Sequence, residues 1–175
     1  MSKAVLISIR PKWVEKIAKG EKTFEVRKTR PKLETPFKCY IYCTKDKHLA
    51  FMQNSAGTNL IACMNVETAI LVGGSVGNGK VIGEFTCDRI YEIAPLNHAP
   101  DDVEQQACLT REEIVTYLKG TGYGWHISNL RVYDQPRELW EFRKPEYPTG
   151  LRLEDDEIKR PPQSWCYVDE LQSNV

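Results

Sequence analysis

No apolar run in this 175-residue sequence approaches the roughly 20 residues that a membrane-spanning helix needs. Met1-Ser2-Lys3 runs into a short strand pattern and not into a signal-peptide core, so a cytoplasmic protein is expected. None of the six cysteines (Cys39, Cys43, Cys63, Cys87, Cys108 and Cys166) belongs to a C-x-x-C pair. A zinc site ordinarily has one such tight pair among convergent ligands, so neither a metal nor another cofactor is expected. Reduced cysteines packed as small core residues are the default in a cytosolic chain. A nucleophile elbow G-x-S-x-G is missing too, and Gly74-Ser75-Val76-Gly77 lacks the strand-to-helix context of one. Gly73 to Gly79 is rich in glycine, but no Ser or Thr follows Lys80, which excludes a phosphate-cradling P-loop. No βαβ unit repeats at about 30 residues, which disfavours a doubly wound sheet.

The chain has no net charge, with 24 Lys/Arg against 24 Asp/Glu. The balance is uneven along it. Residues 1–50 hold 13 basic and 5 acidic residues, and residues 51–175 hold 11 and 19. A chain polarised in this way can carry a basic, phosphate-attracting patch while its pI stays near neutral. The two sets can equally interleave once folded.

The most informative stretch is Gly20-Glu21-Lys22-Thr23-Phe24-Glu25-Val26-Arg27-Lys28. Before it, Leu6-Ile7-Ser8-Ile9-Arg10 alternates apolar and polar, the pattern of a half-buried strand. Pro11 to Lys19 reads as a short helix, with Pro11 at its first position and Trp13, Val14, Ile17 and Ala18 on one face. Gly20 suits the position just past the helix, where φ is positive. If Glu25-Val26-Arg27 is extended, Glu25 and Arg27 face one way and Val26 the other. Lys22, Glu25 and Arg27 then converge on a polar ligand. Spacing alone also allows a solvated charged turn or a plain ion-pair network.

Phe37 to Thr44 reads as a strand, with Lys38, Tyr40, Tyr42 and Thr44 sharing a face that lines a pocket or reaches solvent. Leu60 to Met64 and Thr68 to Val72 are apolar runs of undecided type, and Asn78-Gly79 is a hairpin signal. Val81 to Ile93 is long for one strand and is expected to bend near Gly83. Glu84 in it either faces solvent or points toward the Lys22 cluster. Asp101-Asp102 caps a short helix through Gln106, and Thr110-Arg111-Glu112-Glu113 is a capping box opening a second. Gly124 to Tyr133 reads as a strand on which His126 and Ser128 share a face. There they are either structural donors or a polar edge beside a base. Asp134 to Leu139 is expected to turn into a short helical piece. Trp165 to Val168 is the closing strand. Of Trp13, Trp125, Trp140 and Trp165, the rim candidate for stacking on a base is Trp165, because Gln163 and Ser164 precede it. The element order fits an α+β fold, a small mixed β-barrel with attached short helices.

Ser8-Ile9-Arg10-Pro11, a short helix, and then Gly20-x-Lys22-Thr23-x-Glu25-x-Arg27 resemble the start of the ASCH domain, a member of the PUA-like superfamily. The likeness continues at Tyr40–Thr44, Val81–Phe85, Gly124–Leu130 and Pro161–Val168. It implies a single domain over 1–175, with a variable insertion at about 45–79 and a surface loop at about 144–160. It also implies an RNA- or nucleotide-binding cleft beside the barrel; the lack of a long apolar run gives no expectation of a membrane partner. Arg10, Lys22, Thr23, Glu25, Arg27, Tyr42, Glu84, His126, Ser128 and Trp165 are the candidate ligand-binding residues. Some small bacterial members resembling this chain hydrolyse the amide of N4-acetylcytidine. They pair the lysine matched by Lys22 with a threonine three residues later and with a helical glutamate. Here that third residue is Glu25, which removes the expected nucleophile, and only Glu104, Glu112 and Glu113 lie near the place of the glutamate. An amidohydrolase of this kind, with Lys22 and Glu25 catalytic, is the alternative.

Overall fold

The computed structural model describes residues 2–53, 61–72, 75–94, 99–146 and 156–172. Strand β1 (Lys3–Ile9) leads into helix α1 (Pro11–Ala18), which Pro11 opens at its first turn. Gly20, at φ 75°, lets the chain turn out of the helix. Then come β2 (Phe24–Arg27), β3 (Phe37–Cys43), β4 (Leu49–Gln53), β5 (Ile61–Asn65), α2 (Val66–Val72) and β6 (Ser75–Val76). The long strand β7 (Val81–Ile93) is followed by α3 (Val103–Ala107), α4 (Arg111–Leu118), β8 (Gly122–Arg137), a 3-10 turn at Leu139–Glu141, and β9 (Trp165–Asp169).

Six of these strands form one mixed sheet in the order β2-β8-β7-β3-β1-β9. Only β1 and β3 pair in parallel; the other pairs are antiparallel. The strand predicted at the N-terminus is buried on both faces and not one. Val5, Ile7 and Ile9 enter a main core with Phe85, Trp125 and Ile127. Ala4 and Leu6 enter a second core with Tyr40, Tyr42, Tyr133 and Phe142. An interior strand with a parallel neighbour ordinarily has both faces covered, and here the C-terminal residues Phe142, Ile158 and Val168 help to cover the second. A third core joins Phe24 and Val26 of β2 to α3 and α4.

The α+β class with attached short helices is as expected, and no closed barrel is present among the described residues. Trp125 of β8 meets Trp165 of β9, with ring centroids 6.0 Å apart. Among the described residues no backbone pairing joins the two edge strands, β2 and β9. Side chains bridge that seam instead. Trp165 Nε1 donates to Thr29 Oγ1 at 3.0 Å, and the Lys32 amide donates to the Tyr167 hydroxyl at 2.7 Å.

Other expectations were refined by tertiary pairing. Strand β8 does not stop at Tyr133 but runs on to Arg137, where it pairs with Val81. Strand β7 is continuous past Gly83 and its pairing with β8 shifts register between Val81 and Gly83 and again between Glu84 and Thr86. A Cβ at Gly83 would come within 2.5 Å of the Arg131 carbonyl oxygen, so only glycine fits there. Between 45 and 79, β4, β5 and β6 make a separate three-stranded sheet. Asn78-Gly79 is not a hairpin turn: Asn78 clamps β4, accepting from the Phe51 amide and donating to the Leu49 carbonyl. Leu60, Gly73-Gly74 and most of the predicted 144–160 loop lie outside the described residues.

Candidate functional site

The alternation in β2 sends Phe24 and Val26 into the core under α3 and α4, and Glu25 and Arg27 to the other side. There they line a cleft of about 620 Å³ together with Lys22. All three charged residues are buried, at 2% (Lys22), 7% (Glu25) and 7% (Arg27) exposure. Glu25 sits between the two cations. Its Oε1 is 2.9 Å from Arg27 Nη2, and its Oε2 is 3.4 Å from Lys22 Nζ. Lys22 Nζ also donates to the carbonyls of Phe24 at 2.9 Å and Ala107 at 2.7 Å. Arg27 donates from Nη2 to the Ser8 carbonyl at 2.7 Å and from Nη1 to Ser164 Oγ at 3.2 Å. Its buried Nε has no hydrogen-bond partner among the described residues.

This trio carries one excess positive charge in a poorly solvated place. Burying ions costs several kcal/mol each unless pairing and hydrogen bonds offset it. Here β1, α3 and the segment before β9 all contribute acceptors, so the trio is held from three directions. Around it stand Arg10, Trp13, Thr44, Glu113, Tyr117 and Gln163. The Lys22 ammonium lies 5.3 Å from the centroid of the Trp13 ring, a cation–π distance. Glu113 and Tyr117 come from α4, four residues apart and therefore on one helix face. The capping box at its start is present as expected: Thr110 Oγ1 accepts from the Glu113 amide, and Glu113 Oε2 accepts from the Thr110 amide.

Four of the ten sequence candidates thus meet at the cleft: Lys22, Glu25 and Arg27 inside it, and exposed Arg10 beside them. The other six lie elsewhere. Thr23 faces α3, its backbone amide bonded to the Gln106 carbonyl at 2.9 Å. Tyr42 is in the second core, reaching neither pocket nor solvent, because the C-terminal residues cover its face. Glu84 lies at that core too, accepting from the Tyr133 hydroxyl at 2.6 Å and pairing with Lys38 at 3.2 Å. Burial, and then Glu84, push the Tyr133 hydroxyl well above its ordinary pKa. His126 Nδ1 contacts Asp88 Oδ1 at 2.6 Å, and Ser128 Oγ donates to the Thr86 carbonyl at 2.9 Å. Both are tied to β7. Trp165 packs against Trp125 and Tyr167 and does not line the cleft, although Gln163 lines it and Ser164 accepts from Arg27.

Ser8, Trp13, Thr44, Tyr117 and Gln163 were missed as cleft groups, and so was the Ala107 carbonyl as the acceptor that holds Lys22. Tyr117 had a signal, since it follows Glu113 by four on a capped helix. The Ala107 carbonyl had none, because a backbone acceptor carries no residue signature.

No family model matches the chain, and no curated protein matches it by sequence. Solved structures do. The chain is similar to the crystal structure of ASCH from Zymomonas mobilis, at 16% identity and a TM-score of 0.51, over 95% of this chain and 88% of that one. Two single-substitution variants of the same protein match at 17% identity. Their TM-scores are 0.52 and 0.54, with 97% and 95% of this chain covered and 92% and 89% of theirs. The chain therefore has the ASCH fold, as the motifs of its sequence implied.

Proposed function

We propose that the cleft binds single-stranded RNA or a nucleotide. The observation that carries this is the buried Lys22–Glu25–Arg27 row at a cleft of about 620 Å³. Cavities of roughly 300–1,000 Å³ suit small ligands of nucleotide size. A row of buried ions adds less to stability than apolar packing of the same volume, so its presence in a cleft points to ligand recognition. The excess positive charge, with Arg10 beside it, suits a phosphate. Trp13 and Tyr117 bring aromatic rings to the cleft lining, and stacking of a base on such a ring is worth about 1–3 kcal/mol. The ASCH fold supports the reading, because the resemblance implies association with RNA.

The amidohydrolase reading makes Lys22 a general base or a charge stabiliser, with Glu25 or Glu84 positioning water. Lys22 Nζ is taken up by the carbonyls of Phe24 and Ala107 and by Glu25, and Glu25 stands where those bacterial members have their threonine, so the binding reading is the better supported.

Calorimetry with uridine monophosphate and with an oligouridylate at low salt tests the proposal. Lys22→Ala with Arg27→Ala should abolish binding. Because those two side chains are buried, Tyr117→Ala, at an exposed position, is the second variant and should weaken binding about 5- to 150-fold. Wild-type protein that binds neither probe, or variants that bind as wild type does, would refute it. Incubation with N4-acetylcytidine should release no cytidine.

A further inference from the structure

The hydrogen bonds of the buried trio leave an uneven remainder at the cleft. Lys22 Nζ directs hydrogens to the carbonyls of Phe24 and Ala107 and stands 3.4 Å from Glu25 Oε2. Arg27 donates from Nη2 to the Ser8 carbonyl and from Nη1 to Ser164 Oγ, and its Nη2 stands 2.9 Å from Glu25 Oε1. Both cations are thus turned mainly toward the protein. Glu25 is the opposite case. An ionised carboxylate has about four acceptor sites on its two oxygens. Among the described residues the polar partners of Glu25 are Lys22 and Arg27, one at each oxygen, so each oxygen keeps capacity for a further donor. Glu25 lines the cleft and is 7% exposed, so bulk water has little access to fill that capacity.

Two acceptors side by side on one carboxylate fit two adjacent N–H donors. Sequence-specific readers of single-stranded RNA bond the Watson–Crick edge of an unstacked base. Of the four RNA bases, guanine alone has two adjacent donors on that edge, the ring N1–H and the exocyclic N2 amino group. Uracil has one N–H flanked by carbonyls. Cytosine and adenine have one amino group beside a bare ring nitrogen, whose lone pair a carboxylate repels. The O6 carbonyl of guanine completes its edge, and the excess positive charge of the trio suits it. A phosphate is a poor occupant of the same place, because contact with Glu25 sets two anions together; exposed Arg10, on the same lining, is free of that conflict. Glu113, the other carboxylate of the lining, is exposed to water and accepts from the Thr110 amide in the α4 cap.

We propose that the cleft is selective for guanine, whose Watson–Crick edge donates from N1 and N2 to the Glu25 carboxylate held between Lys22 and Arg27. This rests on the nucleotide reading above and names the base that it takes.

The test is calorimetry on the full chain at low salt with guanosine, inosine, adenosine, cytidine and uridine monophosphates. Inosine monophosphate differs from guanosine monophosphate only in lacking the N2 amino group. From the strength of a hydrogen bond to a charged group, its affinity should be about 10- to 150-fold lower. 1-Methylguanosine monophosphate, whose N1 donor is blocked, should also bind more weakly. Uridine monophosphate should bind, but less tightly than guanosine monophosphate. In Glu25→Gln protein, at a temperature where circular dichroism shows it folded, the gap between the guanosine and inosine nucleotides should close. The series on wild-type protein decides the matter even if that variant does not fold. Guanosine and inosine monophosphates that bind wild type alike overturn guanine selectivity while the cleft reading stands. So does uridine monophosphate bound as tightly as guanosine monophosphate, or a gap that persists in folded Glu25→Gln. Wild-type protein that binds none of the nucleotides overturns both.

Discussion

Replacing Glu25 by glutamine keeps the shape of the side chain and removes the negative charge between two buried cations. Lys22 and Arg27 have side chains 2% and 9% exposed, so water cannot replace the lost carboxylate without opening the cleft. Breaking a buried pair by removing one partner typically costs about 3–5 kcal/mol, because an uncompensated charge stays behind. The expected loss of unfolding free energy for Glu25→Gln is therefore about 3–5 kcal/mol. In a domain of this size each kcal/mol moves Tm by about 2–4 °C, so the melting point should fall by roughly 6–20 °C. Urea titration followed by tryptophan fluorescence measures the free energy directly. The loss should persist in 1 M NaCl, since buried charges are screened far less than exposed ones. Neutralising all three, with Lys22→Met, Glu25→Gln and Arg27→Met, should restore most of the stability, because the stranded charge is gone. That triple variant should fold and fail to bind nucleotide. A Glu25→Gln protein within about 0.5 kcal/mol of wild type would refute the reasoning, and with it the claim that the three charges form one coupled unit.

Three further outcomes can be checked. Gly124→Ala should destabilise by about 1–3 kcal/mol, since a Cβ there would lie 1.7 Å from the Phe24 ring, and chemical denaturation reads the loss. Thr110→Ala removes the α4 cap and should cost about 0.5–2 kcal/mol, with a smaller loss of nucleotide affinity because Glu113 and Tyr117 stand on that helix. Burial alone would raise the Asp88 carboxyl, but the hydrogen bond and charge of His126 outweigh it and hold Asp88 below its usual value. A depressed carboxyl stabilises the fold above its unfolded pKa of about 3.9, and that contribution is lost as pH falls through the folded value. Thermal melts between pH 2.5 and 6 should show a shallower acid dependence for Asp88→Asn than for wild type.

Local chemistry was legible in the sequence. Pro11 and Gly20 bracket α1, Thr110 and Glu113 cap α4, and the two-residue period of β2 puts Glu25 and Arg27 on one side and Val26 on the other. These features depend on backbone geometry within a few residues, so residue type and spacing are enough to state them. The same period put Tyr40 and Tyr42 on one face, correctly, but it carries no record of what covers that face. The cover is Phe142 and Ile158, about a hundred residues further along the chain. Glu84, His126 and Ser128 likewise found partners on other elements and not in the cleft. The acceptors that hold Lys22 and Arg27, the carbonyls of Ala107 and Ser8, come from α3 and β1. Alternation tells which way a side chain turns; only the folded packing of distant segments determines whether it meets a cavity, a core or a partner.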